Sequence, residues 1–218
     1  AFQEGGLVDD TMVCDKLHVT FSPPYSSEPN SDNPLLDTST QINPQSIIAD
    51  GNPVLIQSKT KALLIKGQGV AIDLEKLSFS IQDSVESTIQ FEDFHIKVPK
   101  LLYTFADDPG RLGTYQAEGA GELRMKPSTN NPTNKEFLVQ WKAQSALTVN
   151  EKQEKILELD KEARIQLSET ESIASDRLHI WLEEIESPAR QNTNAPQYEI
   201  SPYKLAAQGH VEIELPEL

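Results

Sequence analysis

Apolar and polar side chains alternate in short runs along this chain, and proline, glycine and asparagine bound the runs. Val13, Asp15, Leu17, Val19 and Phe21 fall on one side of a period-two pattern and Cys14, Lys16, His18 and Thr20 on the other, which predicts a half-buried strand. Ile47 to Gln57, Ala62 to Leu74 and Leu77 to Ile81 continue in this manner, the last two joined at Asp73-Leu74-Glu75-Lys76 as a hairpin. Phe94 to Phe105 and Thr114 to Met125 form another pair around the turn signal Asp107-Asp108-Pro109-Gly110. Segments 22–44, 126–134 and 187–197 are rich in Ser, Pro and Asn and read as long polar loops.

The stretch from Glu151 to Glu186 is ambiguous. Glu, Lys, Leu and Ala are strong helix formers, and Leu178, Trp181, Leu182 and Ile185 have helical spacing. An internal repeat argues the other way. Met12 to Phe21 and Ile173 to Leu182 share Asp, Leu and His in register (Asp15, Leu17, His18 and Asp176, Leu178, His179), with Lys16/Arg177 and Val19/Ile180 as conservative matches. The first copy is rich in Val and Thr and poor as a helix, so a shared structure predicts a strand over Ile173–Leu182.

The segments returning from the loops and turns carry a second signature, in Ile47-Ile48-Ala49-Asp50-Gly51, Tyr115-Gln116-Ala117-Glu118-Gly119 and Leu205-Ala206-Ala207-Gln208-Gly209. One such Ala-x-Gly triplet is weak evidence; three at the same point of successive hairpins are harder to assign to chance. Continued at period two, the pattern puts Ala49, Gly51, Ala117, Gly119, Ala207 and Gly209 on an inward face as a small-residue column. Leu17, Val19, Leu123, Val211 and Ile213 are the large apolar members of that face, opposite a charged one.

Charge narrows the function. With 34 Asp+Glu against 19 Lys+Arg the net charge is −15, and the basic residues are scattered singly, so no nucleic-acid partner is expected. One cysteine, Cys14, excludes a disulfide framework and a four-cysteine zinc site. No apolar run approaches the roughly 18 residues of a spanning helix. Ala1 to Asp10 have no Met, basic start or signal-length apolar stretch, so the chain reads as a piece of a longer one, folded as a single module over 1–218.

Catalytic chemistry finds nothing to stand on. There is no His-Glu-x-x-His, no calcium loop and no Gly-x-Ser-x-Gly elbow, so no catalytic residue, metal or cofactor is expected. His18 and His179 repeat one another and read as sheet histidines, and Gly67-Gln68-Gly69 lacks the further glycine of a dinucleotide loop. No feature selects a carboxylate pair for a glycosidase. Trp181 falls on the outward face, where packing under the 187–197 loop is the preferred reading, and Trp141 alternates with Val139 to point inward.

With its paired motifs, as in Ala174-Ser175-Asp176-Arg177-Leu178 and Ala207-Gln208-Gly209-His210-Val211, the chain resembles the OstA/LptA-like family of lipopolysaccharide export, including its LptC-related members. Ala49-Asp50-Gly51-Asn52-Pro53-Val54 is similar to that family's return strand; the resemblance covers Met12–Met125 and Glu171–Leu215, with Ser175 standing between Ala174 and Asp176 as a departure. It implies an all-β jellyroll, or β-taco, of repeated antiparallel hairpins, whose two sheets fold over an apolar slot for acyl chains. It further implies a non-enzymatic role, a lipid or glycolipid amphiphile as partner, stacking of edge strands on neighbouring OstA-like modules, and a periplasmic or cell-envelope location. A structural or adhesive β-solenoid segment with a filled core is the alternative.

Overall fold

The computed structural model describes residues 10–22, 43–58, 63–91, 94–108, 111–125, 137–166, 168, 170–187 and 197–215. The loops expected at 22–44, 126–134 and 187–197 lie outside these residues apart from 22, 43–44, 187 and 197. The described residues contain fourteen strands and no helix. In chain order they are β1 (Asp10–Val13), β2 (Lys16–Phe21), β3 (Pro44–Ser58), β4 (Leu63–Asp73), β5 (Ser78–Phe91), β6 (Phe94–Thr104) and β7 (Thr114–Glu118). They continue as β8 (Gly121–Met125), β9 (Phe137–Trp141), β10 (Gln144–Val149), β11 (Lys155–Gln166), β12 (Ser172–Ser187), β13 (Gln197–Gln208) and β14 (Glu212–Glu214).

All are antiparallel and belong to one sheet that runs essentially in chain order. Neighbouring segments pair because the connections that the structure describes are tight, as at β4–β5, where Asp73 caps the turn by accepting from the Glu75 and Lys76 amides at 3.1 and 3.0 Å. β6, β7, β10, β11, β9 and β8 pair in a circuit that returns to β6, closing a six-stranded antiparallel barrel to which the other strands add. The helical propensity of Glu151–Glu186 is overridden: the residues form most of β11 and β12, whose partners on both sides satisfy their backbone groups.

Every long segment is interrupted at about the same level. Registers shift between Asp50 and Val54, Lys66 and Val70, Gln82 and Ser87, and Asp160 and Ala163. At that level β1 gives way to β2, β7 to β8, β9 to β10 and β13 to β14. Such bulges bend strands and steepen their twist. Ser175, the departure from the family pattern, is paired with Ala163 beside this line and donates from its hydroxyl to Arg177 O at 2.7 Å; the extra residue of the shift is on β11, where Lys161 and Glu162 stand opposite Asp176.

Two inner rows flank the line. On one side Leu17, Ala49, Val70, Ile81, Leu101, Ala117, Ser145, Leu159, Leu178 and Ala207 are successive cross-strand partners. On the other, Met12, Ile56, Ile65, Ile89, Ile96, Leu123, Val139, Ile165, Ile173 and Ile213 form an unbroken apolar row. Both rows contribute to a single hydrophobic core.

Candidate functional site

The core encloses an apolar cavity. Its walls come from both sides of the bulge line: Phe79, Leu101, Tyr103, Tyr115, Leu147 and Leu157 face Leu63, Ile89, Phe94, Ile96 and Leu123 across it, and Phe105, Leu112 and Leu182 complete one end. The walls expose almost no polar surface. The two tyrosines satisfy their hydroxyls within the fold: Tyr115 Oη pairs with Ser145 Oγ at 2.9 Å, and Tyr103 Oη accepts from the Gly113 amide at 2.9 Å. Burial pushes both phenols above their ordinary pKa, against the opposing effect of these hydrogen bonds, so they stay neutral. Phe79 stacks on Tyr103 with centroids 5.3 Å apart, and Phe105 meets Tyr103 edge-on at 5.1 Å. The space left among these side chains is about 30 Å³, room for about one water or methylene.

The residues expected to line a slot are spread along the inner rows. Leu123 is buried and lines the cavity. Val19 is half-buried, on the row that runs through Ile47 and Ile72 to Phe79. Leu17 and Ile213 stand at opposite ends of the sheet, 56% and 60% exposed, because each is on an outermost strand with no neighbour beyond it among the described residues. Val211 is 48% exposed in the connection between β13 and β14. These four do not line the cavity.

The small-residue column divides. Ala49, Ala117 and Ala207 share one row, each directly opposite a leucine: Leu17, Leu101 and Leu178. Gly51, Gly119 and Gly209 lie in the bulge line instead of on the inner face. Gly119 and Gly209 have φ of +91° and +71°, a conformation glycine supplies without the penalty of a Cβ. At Gly51 a Cβ would come 2.9 Å from the Asp15 amide nitrogen. Two residues beyond Ala the inward parity is lost because the strand has bent.

Outside, the row beside the line is charged. Lys100 meets Glu118 at 3.2 Å and Arg177 meets Asp160 at 3.0 Å, which Gln144 also reaches at 3.2 Å. The guanidinium of Arg177, then Gln144, hold the Asp160 carboxyl below the usual carboxylate range. His18 is exposed, while His179 packs edge-on to Trp181 with ring centroids 6.2 Å apart. Lys204 Nζ lies 4.0 Å over the Trp181 ring, and the loop expected to cover that ring lies outside the described residues. Trp141 is buried, donating from Nε1 to Gly119 O at 2.9 Å.

One polar pair escapes the pattern reading. Counting by two from Leu157 reaches Lys155, and from Leu182 reaches Glu184, so both belong to the inner face. There they form an ion pair at 2.6 Å with side chains only 13% and 11% exposed. In a segment so dense in charge, Lys and Glu read as solvated; the inward parity was the available signal.

Among the described residues no three His, Cys, Asp or Glu side chains come together to hold a metal ion, and no helix is long and apolar enough to cross a membrane. No family model, curated protein or solved structure matches the chain.

Proposed function

We propose that this chain is a jellyroll module of the β-taco kind, non-enzymatic, holding the acyl chains of a lipid or glycolipid between two leaves hinged along the bulge line. The observation that carries this reading is the apolar cavity whose two walls belong to opposite sides of that line. Each buried methylene contributes roughly 0.8 kcal/mol, so a few acyl carbons would offset the cost of parting side chains to widen a 30 Å³ gap. One inner row begins at exposed Leu17 on β2 and the other finishes at exposed Ile213 on β14, and Phe21 on β2 is exposed as well. Strands that are outermost among the described residues suit stacking on neighbouring modules, in the periplasm or cell envelope, which would continue the interior from one module to the next. The resemblance to the OstA/LptA-like family supports the same reading.

The small volume of the gap favours a second reading, in which the core stays filled and the module only stacks on its neighbours. Photocrosslinking separates them. A photoreactive residue placed at Leu123, Leu157 or Tyr103 is expected to capture lipid A or a phospholipid, while outward controls at Gln116 and Glu158 do not. Equal labelling of inward and outward positions would overturn the lipid reading.

A further inference from the structure

Leu112 reaches the apolar cavity from the connection between β6 and β7, outside any strand, and it is 7% exposed. The main-chain N–H and C=O of Leu112 are both held by the buried ion pair. The Leu112 amide donates to Glu184 Oε1 at 2.8 Å, the same oxygen that Lys155 Nζ approaches at 2.6 Å, and Lys155 Nζ also donates to the Leu112 carbonyl. The next amide, Gly113, donates to Tyr103 Oη.

Beyond this cluster lies a second cavity of about 400 Å³, open and polar, lined by Lys155 and Glu184 with Arg111, Glu154, Glu183 and Tyr203. Leu182 lines both cavities. The wall between the apolar interior and this outer pocket is therefore thin: Leu182, the side chain of Leu112, and the ion pair that holds it.

Charges on an inner sheet face are costly unless paired and hydrogen-bonded. Lys155 and Glu184 satisfy one another and the Leu112 peptide, an arrangement that ties the position of one leucine to a single pair.

We infer that the Lys155–Glu184 pair is a clasp holding Leu112 as the stopper of the apolar cavity, and that an amphiphile's chain enters from the outer pocket when the clasp releases it. This rests on the lipid reading above and adds the entry point and the residue that controls it.

The test combines uptake of dansyl undecanoic acid, followed by stopped-flow fluorescence, with hydrogen exchange at the Leu112 amide. Glu184→Gln, Lys155→Met, the double variant Lys155→Met/Glu184→Met and Leu112→Ala are compared with the parent chain. The double variant leaves no unpaired buried charge, so it keeps the test valid if a single variant misfolds. The clasp variants are expected to speed Leu112 exchange by about tenfold or more, the worth of a charge-assisted hydrogen bond, with amides of Leu157 and Ile180 unchanged. Probe uptake should quicken with it, and Leu112→Ala should quicken uptake without needing clasp release. If the parent chain takes up the probe and the variants match its rate, the clasp is overturned and the lipid reading stands. If no variant binds the probe while Leu112 exchange still accelerates in the clasp variants, the lipid reading fails and the entry route falls with it.

Discussion

Gly121 lies directly across the β8–β9 pair from Trp141, and the indole occupies the space a side chain at Gly121 would need. A Cβ there would stand 2.5 Å from Trp141 Cζ2 and 2.8 Å from Lys97 O. Trp141 cannot simply retreat, because its Nε1 is anchored on Gly119 O. Gly121→Val is expected to lower the unfolding free energy by about 1–3 kcal/mol through overpacking. Urea denaturation with Trp141→Leu in the same chain should recover part of that loss; full additivity of the two changes would show that the contact is not the cause.

Gly119 and Gly209 are exchangeable by sequence but not by surroundings. Both carry positive φ, so alanine costs about 1 kcal/mol at each from the backbone alone. At Gly119 the new Cβ would also meet the rigid Pro99 ring at 2.5 Å, whereas at Gly209 the closest atom is the Asp176 carboxylate end, which can rotate off at the cost of its contact with His210, leaving the Asp176 Cβ at 2.9 Å. Gly119→Ala should therefore be the more destabilising of the two in thermal melts. The reverse order would contradict the positions assigned to Pro99 and Asp176.

Ser87 is fully buried, and among the described residues its hydroxyl has no hydrogen-bond partner. An unsatisfied buried hydroxyl costs roughly 1–3 kcal/mol, so removing it by Ser87→Ala is expected to be neutral or stabilising by up to about 1 kcal/mol. A clear loss of stability in denaturant titration would mean the hydroxyl is bonded.

His210 Nδ1 sits 2.9 Å from Asp176 Oδ2. That hydrogen bond, then the carboxylate's charge, raises the imidazole above its ordinary value of 6.5. Protonation thus favours the folded state: the contribution is fully present below about pH 6.5 and is lost as pH rises through the folded value. An NMR titration should find His210 above 6.5 in the parent chain and shifted downward in Asp176→Asn, where only the more distant charge of Glu212 still raises it. An unchanged titration in that variant would remove Asp176 as the cause.

Alternation made most strands legible because each inner row is built from residues two apart. Leu178, Ile180 and Leu182 take the face of Leu17, Val19 and Phe21 despite helix-forming neighbours, because Ile173–Leu182 repeats Met12–Phe21. The match holds in three dimensions: Leu17 faces Ala49 as Leu178 faces Ala207. Gly51, Gly119 and Gly209 depart from the inner face for a physical reason. Period two applies only while a strand stays extended, and the bulge line resets the parity just after each alanine.

Local periodicity and turn chemistry make legible an all-β chain, the pairing of β4 with β5 and of β6 with β7 and β8, and the inward alanines. The order of strands in the sheet sets which apolar residues enclose the cavity, how little space they leave, and that Leu17 and Ile213 lie on the outermost described strands. It also decided that Lys155 and Glu184 meet over the Leu112 peptide. Residues 43 and 29 positions from Lys155 are brought to one point by the order of strands in the sheet, and no local pattern encodes that meeting. A charge is read as solvated until the neighbour that neutralises it is known.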